Sequence, residues 1–210
     1  MIPTLIGGIA SQLVFNAATG GTETTFTDAG KTYKRHTFLS NGTFTISRAV
    51  KPFRVAVLGG GGGGGAHADG FGSASGSAGG WHAADTTLSV GALTVTIGQG
   101  GNGACCIQIG GGTGLTGGQG GNSSLQGSFV GGGGSGGAGG PSAPQGTPGT
   151  GNPSPSANGG VTTPDRATYG IASNRGAGGL GALGTYLEPI RNAGENGTAG
   201  AVVIQYEIAG

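Results

Sequence analysis

Alternating apolar and polar residues recur along the chain in short runs, most of them ended by a turn-forming residue. TETTFTDAG alternates from Thr22 and ends in a turn, KTYKRHTFL follows from Lys31, and SNGTFTIS contains Asn41-Gly42, a hairpin signal because both positions favour positive φ. Across that hairpin, Phe38 and Phe44 are expected to face one core. Pro52 then breaks the ladder before FRVAVL, residues 53–58, with Phe53, Val55 and Val57 on one face and Arg54, Ala56 and Leu58 on the other. Further on, TTLSV and ALTVTIG flank Gly91 like a tight turn, and SSLQGSFV reads as a weak strand. The last run, AVVIQYEI, sets Val203, Gln205 and Glu207 against Val202, Ile204, Tyr206 and Ile208, and is expected to pair with FRVAVL. Helical periodicity is almost absent, and YLEPIRNAG offers at most one turn, interrupted by Pro189.

Composition changes this picture. The chain has 210 residues and 55 glycines, of which six lie before residue 59. Residues 1–58 therefore read as an N-terminal β meander, and residues 59–210 as a glycine-rich region completing the same domain. RVAVL runs directly into seven consecutive glycines, Gly59 to Gly65. Collagen is excluded because LSVGALTVTIGQGG and YLEPIRNAG break any Gly-X-Y register. General disorder is opposed by a net charge of only +1 and by the strand-like clusters found from end to end. Gly140 to Gly160 is the exception: five of the nine prolines gather there with Ser, Thr and Asn, which marks a flexible loop.

Glycine at every third position would suit extended threefold helices of the polyglycine II form. Runs such as Gly111, Gly114, Gly117, Gly120 and Gly131, Gly134, Gly137, Gly140 are present, but no more of them than chance supplies at this glycine content. The physical argument is stronger. Such helices have no internal hydrogen bonds, so every N–H and C=O must find a partner on a neighbour, and only residues without side chains let backbones approach that closely. Ordering each residue costs roughly 1–2 kcal/mol while a net hydrogen bond returns about 1 kcal/mol. A bundle on these terms needs an anchoring sheet or an oligomer.

Charge and chemistry narrow the function classes. Charged residues make up 8% of the chain, and six of the nine basic ones (Lys31, Lys34, Arg35, Arg48, Lys51, Arg54) are spaced along expected strands, which fits a solvated sheet face and no nucleic-acid partner. No run of eighteen apolar residues suits a membrane span, and MIPTLIGGIASQLVF lacks the basic start of a secretory signal. The two cysteines, Cys105 and Cys106, are adjacent and suit neither a stapling framework nor a CxxC metal site; folding in a reducing cytosol with both as small side chains at a strand edge is the expectation. No G-x-S-x-G elbow appears, GGGGGGG is followed by no Lys-Ser or Lys-Thr, and the eight acids are scattered, so no enzyme and no cofactor is expected.

One loop, AHADGFGSASGSAGGWHAADTT, concentrates the versatile side chains His67, Asp69, Phe71, Trp81, His82 and Asp85. His-x-Asp and His-x-x-Asp pairs fall short of the three or four convergent ligands of a metal site, so no metal is expected. His67, Phe71, Trp81 and His82 are the candidate surface-contact residues, because aromatics dominate contact energies; burial of both rings against the glycine segments is the competing reading and the favoured one.

Four motifs in order, YKRHTFLSNGTFTISRAVKPFRVAVLGGGGGGG, LTVTIGQGGNG, GGQGGNSSLQGSFVGGGGSGGAGG and NGTAGAVVIQYEI, resemble the glycine-rich domain of bacteriophage tail proteins, most of all the minor tail proteins of phages that infect actinobacteria. The likeness spans roughly Thr22 to Ala209. It implies a mainly β fold, with an antiparallel β-sandwich-like base carrying glycine-rich excursions packed as polyglycine II helices. It further implies a structural minor tail protein, made in the host cytoplasm and placed in the virion at the tail tip or a fibre. The partners it implies are other phage tail proteins, further copies of the chain (three, by tail symmetry) and a host cell-envelope component. The alternative is an ice-binding protein of polyglycine helices, although small bundles of that kind depend on disulfides and carry less sheet.

Overall fold

The alternating runs become strands wherever they can turn an apolar face inward. The computed structural model describes residues 15–66, 73–105, 114–139, 168–172, 174–180 and 193–209. Its strands are β1 (Ala17–Thr19), β2 (Thr22–Asp28), β3 (Lys31–Phe38), β4 (Gly42–Arg48), β5 (Phe53–Leu58), β6 (Trp81–Thr86), β7 (Gly91–Thr96), β8 (Ser123–Leu125), β9 (Phe129–Gly131) and β10 (Ala201–Ala209). They form two five-stranded antiparallel sheets, β1-β4-β7-β8-β9 and β2-β3-β10-β5-β6. Helix among the described residues is limited to a turn at Thr168 and Tyr169. The fold is mainly β, as the residue pattern anticipates.

One apolar cluster joins the two sheets. β4 and β7 contribute Phe44, Ile46, Leu93 and Val95, while β5 and β10 contribute Phe53, Val55, Val57, Val202 and Ile204. Aromatic rings run through it edge to face: Phe38 to Phe44 at 6.4 Å, Phe44 to Phe53 at 6.1 Å and Phe53 to Tyr206 at 5.3 Å between centroids. Each such fully buried side chain contributes about 1.5–3 kcal/mol. β5 and β10 pair over Ala201↔Leu58 to Gln205↔Arg54, and both are also apolar on the opposite face. There Ala56, Leu58, Ala201 and Val203 pack with Trp81 and Ile171.

The Asn41-Gly42 hairpin does not form. Neither residue has positive φ, and β3 and β4 belong to different sheets, so the connection crosses the sandwich instead of reversing within one sheet. Phe38 and Phe44 still meet, because both point into the space between the sheets. Asn41 serves another purpose: its Oδ1 accepts the Ile97 N–H at 2.7 Å and ties the crossing to the end of β7. Gly91 likewise opens β7 in the sheet opposite to β6. Reversals occur instead at the two-residue Ala29-Gly30, with φ of 48° and 77°, and over the three residues 126–128, where Gln126 and Gly127 have φ of 51° and 69°.

The glycine-rich segments are ordered by hydrogen bonds. Every N–H from Gly59 to Ala66 donates to a carbonyl outside its own segment, at 2.8–3.0 Å. Gly59, Gly62 and Gly65 donate to Gly80, Ser77 and Ala74; Gly60, Gly63 and Ala66 to Gly121, Gly118 and Leu115; Gly61 and Gly64 to Thr198 and Glu195. Successive residues thus address three neighbours in strict rotation. All three run antiparallel to segment 59–66, as the falling acceptor numbers require. Three parallel segments bond back to it: Gly134 and Gly137 to Gly60 and Gly63, Gly101 and Ala104 to Gly61 and Gly64, and Gly179 to Gly62.

Candidate functional site

Segment 59–66 is buried throughout, and its six neighbours are bonded to one another in a closed ring. Ser77 N–H donates to Ser135 O at 3.0 Å, Gly117 to Gly137 at 2.9 Å and Gly118 to Asn102 at 2.7 Å. Gly197 donates to Gly101 at 2.8 Å and Thr198 to Ala177 at 2.9 Å, and Gly76 to Gly179 at 2.9 Å closes the circle. Antiparallel and parallel members alternate around it. The chain achieves this by leaving β5, β7, β9 and residue 176 outward along parallel segments and returning to β6, β8 and β10 along antiparallel ones.

Backbone-to-backbone approach explains the residue choice. A Cβ added at Gly59, Gly60, Gly61, Gly62 or Gly63 would fall within 3.0 Å of a neighbouring segment's backbone, where no real Cβ sits. Side chains that remain do specific work at the segment ends. Asn122 Oδ1 accepts Gly133 N–H at 2.8 Å, Asn196 Oδ1 accepts Gly103 N–H at 2.7 Å, Ser123 Oγ accepts Gly98 N–H at 2.9 Å and Thr198 Oγ1 accepts Ala177 N–H at 2.8 Å. Each supplies an acceptor that the ladder of backbone carbonyls does not reach. In the sequence, Asn122 alone of these four is marked, by the repeated Gln-Gly-Gly-Asn at 99–102 and 119–122.

The two ends of the bundle differ. Bonds from Gly65 to Ala74, Ala66 to Leu115, Gly194 to Ala104 and Glu195 to Leu180 gather the described segment ends at the end away from the sheets. His67 and Phe71 lie outside the described residues. Trp81 and His82 sit at the opposite end, where β6 begins. Trp81 is 9% exposed and meets Tyr169 edge to face at 5.5 Å, within the cluster of Leu58, Ile171 and Val203. Its ring is packed against the sheet and not offered at the surface. His82 points between the sheets and lies 5.1 Å from the Phe129 ring, with burial holding its pKa below the ordinary value.

Cys105 is disulfide-bonded, not a free thiol, and Cys106 is the chain's other cysteine. Among the described residues, no three His, Cys, Asp or Glu side chains converge as metal ligands would. Among the described residues that line them, two surface clefts of about 480 and 330 Å³, beside Ile171 and beside Phe129, have no Asp, Glu, His or Cys.

The cations of the expected strand faces are locally matched. Lys34 Nζ meets Glu23 at 3.0 Å, Lys31 and Lys51 hold Glu207 from both sides at 3.2 and 2.9 Å, and the Arg35 and Arg54 guanidiniums lie 4.5 and 5.2 Å from the Phe26 and Tyr33 ring centroids. Their lysine partners hold the Glu23 and Glu207 carboxyls below the usual range. Beneath this surface, fully buried His36 joins three elements. Its Nδ1 donates to Gly20 O at 2.7 Å and its Nε2 meets Tyr206 Oη at 3.2 Å, while Tyr206 Oη accepts from Ala18 N at 3.1 Å.

No protein-family model matches the chain, and no curated protein matches it.

Proposed function

We propose that the protein is a structural, non-enzymatic component of a bacteriophage virion, a minor tail protein at the tail tip or on a fibre. In this reading the seven glycine-rich segments are polyglycine II helices, and the two sheets are the base that anchors them. The observation that carries it is the rotation of hydrogen bonds through three directions in successive residues of Gly59–Ala66, the pattern expected of a threefold helix inside a hexagonal array. The ordered motif series from Thr22 to Ala209 supplies the tail context. Other tail proteins and further copies of this chain are its partners. Contact with a host cell-envelope component belongs to the end of the bundle away from the sheets, marked by the bonds of Gly65 to Ala74, Ala66 to Leu115 and Glu195 to Leu180.

Ice binding is the weaker reading. The exposed faces of the outer segments carry Gln99, Asn102, Gln119, Glu195 and Asn196, long polar side chains that interrupt a flat, glycine-lined surface. Immunogold labelling of purified virions, with antibody raised against the chain, tests the assignment. Gold at the tail tip or fibres is expected; absence of the protein from washed particles contradicts it.

A further inference from the structure

Among the described residues the two sheets have four outer strands: β1 and β9 in one, β2 and β6 in the other. β1 and β9 are three residues long, and β6 runs beside β9, with His82 against Phe129. β2 is different. It is seven residues long, six of them are exposed, and its pairing with β3 runs without a bulge from Thr22↔Thr37 to Asp28↔Lys31. It contains no proline, lysine or bulge, three of the devices that normally keep a sheet edge from pairing with another chain, and its charges are limited to Glu23 and Asp28.

We propose that β2 is a self-pairing edge, at which two copies of the chain join antiparallel about a twofold axis through Thr25, making one ten-stranded sheet. This is the single antiparallel register that pairs all seven residues. It sets Thr25 opposite the other copy's Thr25, Thr24 opposite Phe26, Glu23 opposite Thr27 and Thr22 opposite Asp28. Both acids therefore face threonines, and no two like charges are opposed. Glu23 is already neutralised by Lys34 at 3.0 Å within its own copy. The outer face gains an aromatic contact: Phe26 is half-buried and stacked on Tyr33 at 5.4 Å with 18° between planes. Across the seam the two Phe26 rings become diagonal neighbours, which lie within reach of aromatic side chains. The Tyr33–Phe26 stack then continues through both copies as four rings. An isologous contact of this kind closes on itself at two copies, not at the three that tail symmetry suggests.

The inference rests on the self-association proposed above and not on the virion assignment. Sedimentation equilibrium of the full chain, from low to high micromolar concentration, is expected to show a reversible dimer. Thr25→Glu puts two carboxylates opposite each other across the axis while standing beside Lys34 within its own copy. It is expected to weaken the dimer roughly tenfold or more with the melting temperature retained. Thr25→Cys is expected to give a disulfide-linked dimer on mild oxidation, and Ser47→Cys, exposed on β4, is not. A monomer throughout, a trimer, a dimer that Thr25→Glu leaves intact, or equal cross-linking at residue 47 overturns the pairing. None of these outcomes bears on whether gold labels the virion tail.

Discussion

Gly62 is the position where the packing of the glycine segments is most directly tested. A methyl group there would stand 2.9 Å from the Gly134 carbonyl oxygen and closer still to that of Ser135, against 3.4 Å for ordinary contact. Both obstacles are backbone, so segment 132–139 has to move as a unit. That segment holds Gly60 and Gly63 through the N–H groups of Gly134 and Gly137, each at 2.8 Å, and its Ser135 carbonyl accepts from Ser77 at 3.0 Å. Overpacking costs about 1–3 kcal/mol, and each buried backbone group left without a partner about 1–3 kcal/mol more. Gly62→Ala is therefore expected to lose about 3–6 kcal/mol, a large share of the roughly 5–15 kcal/mol that holds a domain folded. In thermal unfolding followed by circular dichroism this amounts to a drop of roughly 10–20 °C. Gly62→Val should be worse. The control is Gly30→Asn, where φ is +77° and nothing lies within 4 Å; asparagine tolerates this conformation, and the cost should stay below about 1 kcal/mol. A Gly62→Ala protein that melts with the wild type would refute the close-packed arrangement.

Three further outcomes follow from the same contacts. Asn122→Ala removes the acceptor of Gly133 N–H and should cost about 1–2 kcal/mol by urea unfolding, whereas Gln119→Ala, an exposed neighbour, should cost little. Tyr206→Phe leaves Ala18 N–H and His36 Nε2 without the hydroxyl and should lose about 1–3 kcal/mol in the same assay. Burial holds the His36 pKa below its ordinary value against the opposing pull of the Gly20 carbonyl and Glu23, so the unfolded chain takes up a proton before the native one does. Stability is then expected to fall as pH drops below about 6.5, continuing to the depressed native value, and a His36→Asn protein should show a flatter profile between pH 7 and 5. An unchanged slope would remove His36 as the cause.

Most strands were legible in the sequence because side chains specify them; β6 was not, since Trp81–Thr86 fell in the stretch read as a loop, while TTLSV, read as a strand, is extended only at Thr86. FRVAVL and AVVIQYEI each carry one wholly apolar face and a second that is apolar only toward the Leu58–Ala201 end, and their pairing as β5 and β10 fits both faces. The crossing at Asn41-Gly42 was not legible, since Phe38 and Phe44 meet whether the two strands pair or stand in opposite sheets. Burial of Trp81 could be weighed but not decided, because its partners Ile171 and Tyr169 are distant in sequence and lie in a segment without apolar periodicity. The order of the ring around Gly59–Ala66 was the least accessible part. Glycines carry no side chain to mark a neighbour, and the pairing lives in backbone bonds between residues as far apart as Gly61 and Thr198. Nothing in KTYKRHTFL marks His36 as buried; the approach of Tyr206 and Gly20 shows why it is.

Amide hydrogen exchange of Gly59 to Ala66 by NMR tests the central claim most directly. All eight N–H groups are bonded to other segments in a buried position, so they should exchange only when the whole domain unfolds, with protection matching that of β5 and β10. Exchange at the rate of an unstructured glycine chain, with β5 and β10 still protected, would show that the seven glycines are a tether and not the centre of the bundle.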